Sequence, residues 1–306
     1  MIWINQIVQG VLLGGFYALL ASGLSLMFGV MRIINLAHGD IAVLGAFFTY
    51  VLVTDNGWSP WLALVVVLPV MALGGWLLQR TMLERSLRAG VLVPLLTTFG
   101  LGIVIQNLLF EKFGANPVSL GANIGTLAYD SWQITSQIYI PKLSALILGV
   151  AVAVLVAMQL FLTRSSIGRS LRATAQDPDT AELVGINAGR VYALATAIAV
   201  AIAALAGVFV SMRDQVTPYD GPALLIFAFE AVVIGGLGSL WGTLVGGIVL
   251  GVSQNIGQQI GQQYFGTSEW FIISGHIVFL AVLGGRVIYG ELEARGGIRA
   301  VLGQAA

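Results

Sequence analysis

The chain has 306 residues, 58% of them hydrophobic and 9% charged, with a mean hydropathy of +0.92. Soluble domains carry roughly 25% charged residues, so this chain lacks the polar surface to stay in water and reads as an all-α integral membrane protein. Its formal net charge of zero argues against a nucleic-acid binder, and the absence of cysteine excludes disulfides, thiolate chemistry and Cys-based metal sites.

Taken in chain order, the first apolar run covers 6–28. No Lys or Arg precedes Arg32, whereas a secretory signal peptide has a basic start, so this run is expected to be a retained span. Further runs near 61–79, 91–110, 141–162, 190–212 and 268–289 are long enough to cross a bilayer, which takes about 20 residues. Three more, at 35–54, 223–237 and 240–260, are less regular. The expected fold is a polytopic bundle of about 8–9 helical segments, some of them broken or re-entrant.

Arginine sets the expected orientation. Arg32, Arg80, Arg85, Arg88, Arg164, Arg169, Arg172, Arg190, Arg286, Arg295 and Arg299 fall on one side of this arrangement, and only Lys112, Lys142 and Arg213 on the other. The positive-inside rule then makes the 163–189 loop and the C-terminus cytoplasmic and the N-terminus external. The longest external connection is 111–140. Its end, WQITSQIYIP, partly alternates apolar and polar residues, which suits a short strand or hairpin over the mouth; an unstructured lid is the alternative.

Three stretches hold candidate functional residues. In MRIINLAHGDIAVLGAF (31–47), Asn35, His38, Gly39 and Asp40 crowd the start of an apolar run. They read either as a late-starting helix lining a pathway, or as a membrane-edge cap with Asn35 at the N-cap and His38 and Asp40 in headgroup water. In FEAVVIGGLGSLWGTLVGGIVLG (229–251), Glu230 lies inside an apolar run. Gly235, Gly236 and Gly238 follow in a GGLGS break that suits a discontinuous helix near a transport site, with simple helix packing as the plainer reading of the glycines beyond it. Gly242–Gly246 and Gly247–Gly251 have the G-x-x-x-G spacing of close helix contacts.

The third stretch is DPDTAELVGI (177–186). Asp177 suits an N-cap, Pro178 the first helical position, Asp179 and Glu182 the positive end of the helix dipole, and Gly185 a left-handed stop. About two turns of capped helix are expected outside the membrane, with an apolar patch at Leu183, Val184 and Ile186 too small for strong binding to a bilayer surface. Such a helix suits docking into a groove on another protein. No G-x-x-x-x-G-K-[ST] occurs, so the chain has no P-loop of its own, and no nucleophile–base or metal constellation suggests an enzyme.

GLSLMFGVMRIINLAHGDIAVLGAF, SIGRSLRATAQDPDTAELVGIN and AVVIGGLGSLWGTLVGGIVLG together resemble the permeases of branched-chain amino-acid ABC importers, over about residues 6–289. The resemblance implies a single transmembrane permease domain over 1–306 in a bacterial inner membrane, with no cofactor in this chain. It implies partners: a second, homologous permease chain, two ABC ATPase subunits that carry ATP and Mg, and a periplasmic substrate-binding protein. It assigns ATPase coupling to Asp177, Pro178, Asp179, Ala181, Glu182 and Gly185, with Arg172 and Ala175 leading in. Permeases for urea, amides and other amino acids look similar. Glu230 stands where a neutral residue is expected and Trp241 where proline is frequent, and the tail GGRVIYGEL replaces a more usual Arg-Pro-x-Gly-Leu ending. A gradient-driven carrier or channel using Glu230, Asp40 and His38 is the alternative function.

Overall fold

A computed structural model describes residues 2–90, 92–135 and 137–294. Among these, nine apolar helices carry the fold. α1 (Ile2–Met31) is followed by α2 (His38–Thr54) and by α3 (Pro60–Leu78), which continues through one wider π turn into α4 (Glu84–Ala89). α5 (Val93–Phe113) leads to a 3₁₀ segment (Gly121–Ala128) and a hairpin of β1 (Ser131–Thr135) and β2 (Ile138–Pro141). Then come α6 (Lys142–Arg164), α7 (Ser166–Gln176), α8 (Pro178–Leu183), α9 (Ala188–Arg213), α10 (Gly221–Gly235), α11 (Leu240–Ile260) and α12 (Trp270–Ala294). Among the described residues, seven helices are long and apolar enough to cross a membrane, while α2 and α10 are shorter apolar helices.

The helices are layered. In the most apolar stretch of α1, 89% of residues are buried, and in α9 78%, against 6% in α12, so α1 and α9 form the centre and α12 lies outermost. Glycine lets α1 take that place. A Cβ at Gly10 would stand 2.5 Å from the Cα of Val252, and one at Gly251 only 2.3 Å from the carbonyl oxygen of Gly10. Gly14 and Gly247 meet one turn further on in the same way. Two four-residue glycine spacings thus face each other, which allows the backbones of α1 and α11 to touch.

The other pair, Gly242 and Gly246, packs on α10. A Cβ at either would lie 2.1 Å from a carbonyl oxygen, of Gly235 and Ala231 respectively. Because Gly235 meets Gly242 while Ala231 meets Gly246, α10 and α11 run antiparallel. This corrects the expectation of one helix broken at GGLGS. Gly236 (φ +102°) and Gly238 (φ +81°) adopt left-handed backbone that reverses the chain, and Ser239 caps α11 by accepting from the Gly242 amide at 3.1 Å. The break is the tight turn of a helical hairpin.

Residues Ser131–Thr135 and Ile138–Pro141 pair as an antiparallel hairpin rather than forming an unstructured lid. It lies against the N-terminal part of α1, where the Gln9 side chain donates to the Tyr139 carbonyl at 2.7 Å. The 163–189 loop is more helical than its sequence suggested, since α7 precedes the expected helix.

Candidate functional site

The loop helices are built by caps. Ser165 accepts from the Gly168 amide at 2.8 Å and starts α7. Asp177 closes α7, its own amide donating to Ala173 O at 3.1 Å, and opens α8, its Oδ1 accepting from the amides of Asp179 and Thr180, both at 3.1 Å. The Thr180 hydroxyl donates to Oδ2, and this bond above all holds the Asp177 carboxyl below the usual carboxylate range. Pro178 takes the first helical position and Gly185 (φ +84°) lies beyond the end.

α8 is shorter than expected, six residues ending at Leu183. Ala181 is buried, whereas Asp179 and Glu182 are exposed. Leu183 and Val184 protrude at the tip, 87% and 73% exposed. Arg172 and Ala175 lie on α7, where they line a cavity of about 190 Å³ together with Ser25, Gly29 and Gly238. Helix α7 and the GGLGS turn, read separately from sequence, therefore share one cavity.

Asn35, His38, Gly39 and Asp40 form a second cluster. After α1 the chain turns at Arg32 (φ +55°) and runs back along α1 without helix before α2 begins. His38 Nε2 donates to the carbonyl of Leu20, eleven residues before Met31. Eleven helical residues span about 16 Å, so α2 starts deep beside α1. The membrane-edge reading is thereby corrected. Asn35 and His38 are fully buried and Asp40 is 3% exposed, and the N-cap position is Ala37 with no side-chain cap. Asn35 instead accepts from the Ala37 amide at 3.0 Å, stabilising the turn into the helix.

Asp40 accepts from Gln106 Nε2 of α5 at 2.8 Å, and Gly39 lies so close to α10 that a Cβ would overlap the Gly221 carbonyl. The starts of α2 and α10 thus meet beside Asp40. Thr98 on α5 accepts from the Leu36 amide at 3.1 Å. Neither Thr98 nor Gln106 stood out in the sequence, because a polar residue on a span shows no partner until the spans are packed.

Glu230 forms the third cluster. It is 2% exposed on α10, and its Oε1 pairs with His276 Nδ1 of α12, whose ring stacks on Phe227. The other oxygen, Oε2, is buried and has no hydrogen-bond partner among the described residues. A cavity of about 300 Å³ beside Glu230 is walled by Ile34, Leu36, Leu225, Ile226, Phe229 and Phe279. Arg286 of α12 donates to Ile234 O at 2.8 Å, satisfying a carbonyl at the end of α10 beside the turn. Of the glycine candidates, Gly235 faces the α11 backbone, a Cβ at Gly236 would stand 3.8 Å from Arg286 Nη2, and Gly238 lies against Gly29 of α1. These three sit at the hairpin turn, away from the buried start of α2.

The fold and these groups define a polytopic helical membrane protein with a structured loop between its spans and few buried charges. Residues 6–283 match the family described as branched-chain amino acid transport system / permease component, and the chain belongs to that family. It is 30% identical over 253 residues to the high-affinity branched-chain amino acid transport system permease protein LivH of Escherichia coli (strain K12), covering 78% of this chain and 81% of that one. It is 31% identical over 254 residues to the permease protein BraD of Pseudomonas aeruginosa, with the same shares. A fructose import permease protein, FrcC of Rhizobium meliloti, is 30% identical over 217 residues, 68% of this chain and 57% of that one. Family membership decides between the two functional readings in favour of a permease component.

Proposed function

We propose that this chain is the membrane-spanning permease of an ATP-driven importer for branched-chain or related amino acids, working with a second permease chain, two ATPase subunits and an external binding protein. The observation that carries the reading is the α7–α8 segment. It is a doubly capped, rigid projection with an apolar tip at Leu183 and Val184, and its base shares a cavity with the α10–α11 turn. A tip docked in a groove on an ATPase subunit transmits that subunit's motion through α7 to the hairpin and to α1. The arginine bias supports a cytoplasmic place for this segment, with the N-terminus outside.

In this reading ATP binding on the partners drives alternating access. Asn35, His38, Gly39, Asp40 and Glu230 are candidates for groups beside the pathway, and the names of LivH and BraD favour amino acids as cargo. The test is the double variant Asp177→Ala/Pro178→Gly in the assembled complex. With normal membrane abundance, ATP-dependent uptake should fall by roughly fivefold or more, the lower range of a coupling interaction. Full uptake by that variant overturns the assignment.

A further inference from the structure

A polar cavity of about 300 Å³ lies under the hairpin, apart from the three clusters above. Five helices converge on it: α1 through Gln9 and Leu13, α6 through Leu143 and Ser144, α9 through Arg213, α11 through Asn255 and α12 through Phe271. Its walls are mixed. Leu13 and Leu143 are buried, and with Phe271 they offer an apolar surface, whereas Arg213, Asn255, Gln9 and Ser144 bring polar groups to the same space. A few convergent polar groups on an apolar wall are the usual make-up of a small-molecule site.

Arg213 is the last residue of α9. Its Nε pairs with Asp214 at 3.0 Å and its guanidinium lies over the Phe16 ring, 5.7 Å from the centroid, so the side chain is held at both its stem and its face. Among the described residues, its two terminal nitrogens make no hydrogen bond. A guanidinium fixed in this way presents a planar pair of donors, the geometry that grips a carboxylate with two bonds. Asn255, 9% exposed, donates its amide to Gly251 O at 3.0 Å, which leaves its carbonyl oxygen as an acceptor. Gln9 is oriented likewise, its amide engaged by Tyr139 O. A donor pair, two amide acceptors and an apolar wall match the three parts of an apolar α-amino acid.

We propose that this cavity is a subsite for the zwitterion of an apolar α-amino acid. Arg213 holds the carboxylate, the side-chain oxygens of Asn255 and Gln9 take the ammonium, and Leu13, Leu143 and Phe271 receive the side chain. The inference rests on the import reading for the identity of its ligand, and it places recognition at the end of the bundle covered by the hairpin. A phosphate of an anionic lipid shares the chemistry of a carboxylate, so the test separates the two.

The full chain in lipid nanodiscs is titrated with leucine and with leucinamide, which lacks the carboxylate. The wild-type chain should bind leucine roughly tenfold more tightly than leucinamide, the discrimination of one charge-assisted bond pair. Arg213→Gln should bring that ratio close to one while leucinamide binding is kept, a comparison made within one folded protein. Arg213→Lys should restore part of the preference. An unchanged ratio in Arg213→Gln overturns the proposal, as does a wild-type chain that binds neither compound. A lipid role also overturns it: Arg213→Gln would then lose only its enrichment of phosphatidylglycerol over phosphatidylcholine. ATP hydrolysis by the wild-type complex, measured separately, tells whether the import reading itself stands.

Discussion

Asp177 and Thr180 are joined twice, backbone amide to Oδ1 at 3.1 Å and hydroxyl to Oδ2, so one carboxylate fixes both the start of α8 and its first turn. These bonds favour the ionised form and lower the Asp177 pKa. A carboxyl depressed in the folded state contributes stability that is complete above its ordinary value and is lost as pH falls through the lowered one. Protease cutting near Leu183–Gly185 should therefore stay slow from about pH 7 down to the ordinary aspartate value of roughly 3.9, and rise only below it. Asp177→Asn keeps an acceptor for the amides and should cut more slowly than Asp177→Ala. Equal cutting of the two variants would mean that the cap does not hold the segment.

The α1–α11 contact makes a sharp steric prediction. Gly251→Val places side-chain atoms into the backbone of Gly10 and should lower the melting temperature in detergent, at a cost of about 1–3 kcal/mol or more. Gly149 in α6 has open space around its Cβ position, and Gly149→Ala should be neutral or stabilise by about 0.5–1 kcal/mol. If both variants melt alike, the glycine interface is wrongly described.

Asp40 tests whether charge or hydrogen bonding matters at the start of α2. Asp40→Asn keeps an oxygen for Gln106 and should retain stability, whereas Asp40→Ala leaves the half-buried Gln106 amide without this partner and should cost about 0.5–1.5 kcal/mol. Thermal melts of the two variants check this. Uptake by Asp40→Asn then reports whether the negative charge itself serves the pathway.

The Glu230–His276 pair predicts non-additive behaviour. His276→Ala leaves a buried carboxylate without its partner and should destabilise strongly, up to about 3–5 kcal/mol for a fully buried pair and less here because the His276 side chain is 41% exposed. Replacing both with leucine should recover most of that loss. A double variant no more stable than His276→Ala would show that the pair does more than neutralise itself.

The long spans were legible because a bilayer demands runs of about 20 apolar residues. The α8 cap was legible too, since Asp-Pro and Gly carry their geometry locally. Residues 35–40 were not, because a polar cluster next to Arg32 fits an interface as well as a chain that doubles back beside Leu20. Only the bond from His38 to the Leu20 carbonyl, formed once the chain has folded, separates the two. GGLGS was misread for a related reason. Glycines permit both a kink and a reversal, and the choice is made by the match of Gly235 to Gly242 and Ala231 to Gly246. His276 and Arg213 gave no local signal, since the partner of the first lies 46 residues away in sequence and the cavity of the second is assembled from five helices.

The most direct test of the account is mild extraction of the tagged chain from its native membrane, with mass spectrometry of the proteins that remain bound. The account predicts a P-loop ATPase and a second permease, both lost when Leu183→Asp and Val184→Asp remove the apolar tip of α8 only if the second permease is itself held through the ATPase, and otherwise loss of the ATPase alone. A chain that emerges alone, or only with copies of itself, and moves amino acids across liposomes without ATP would contradict it.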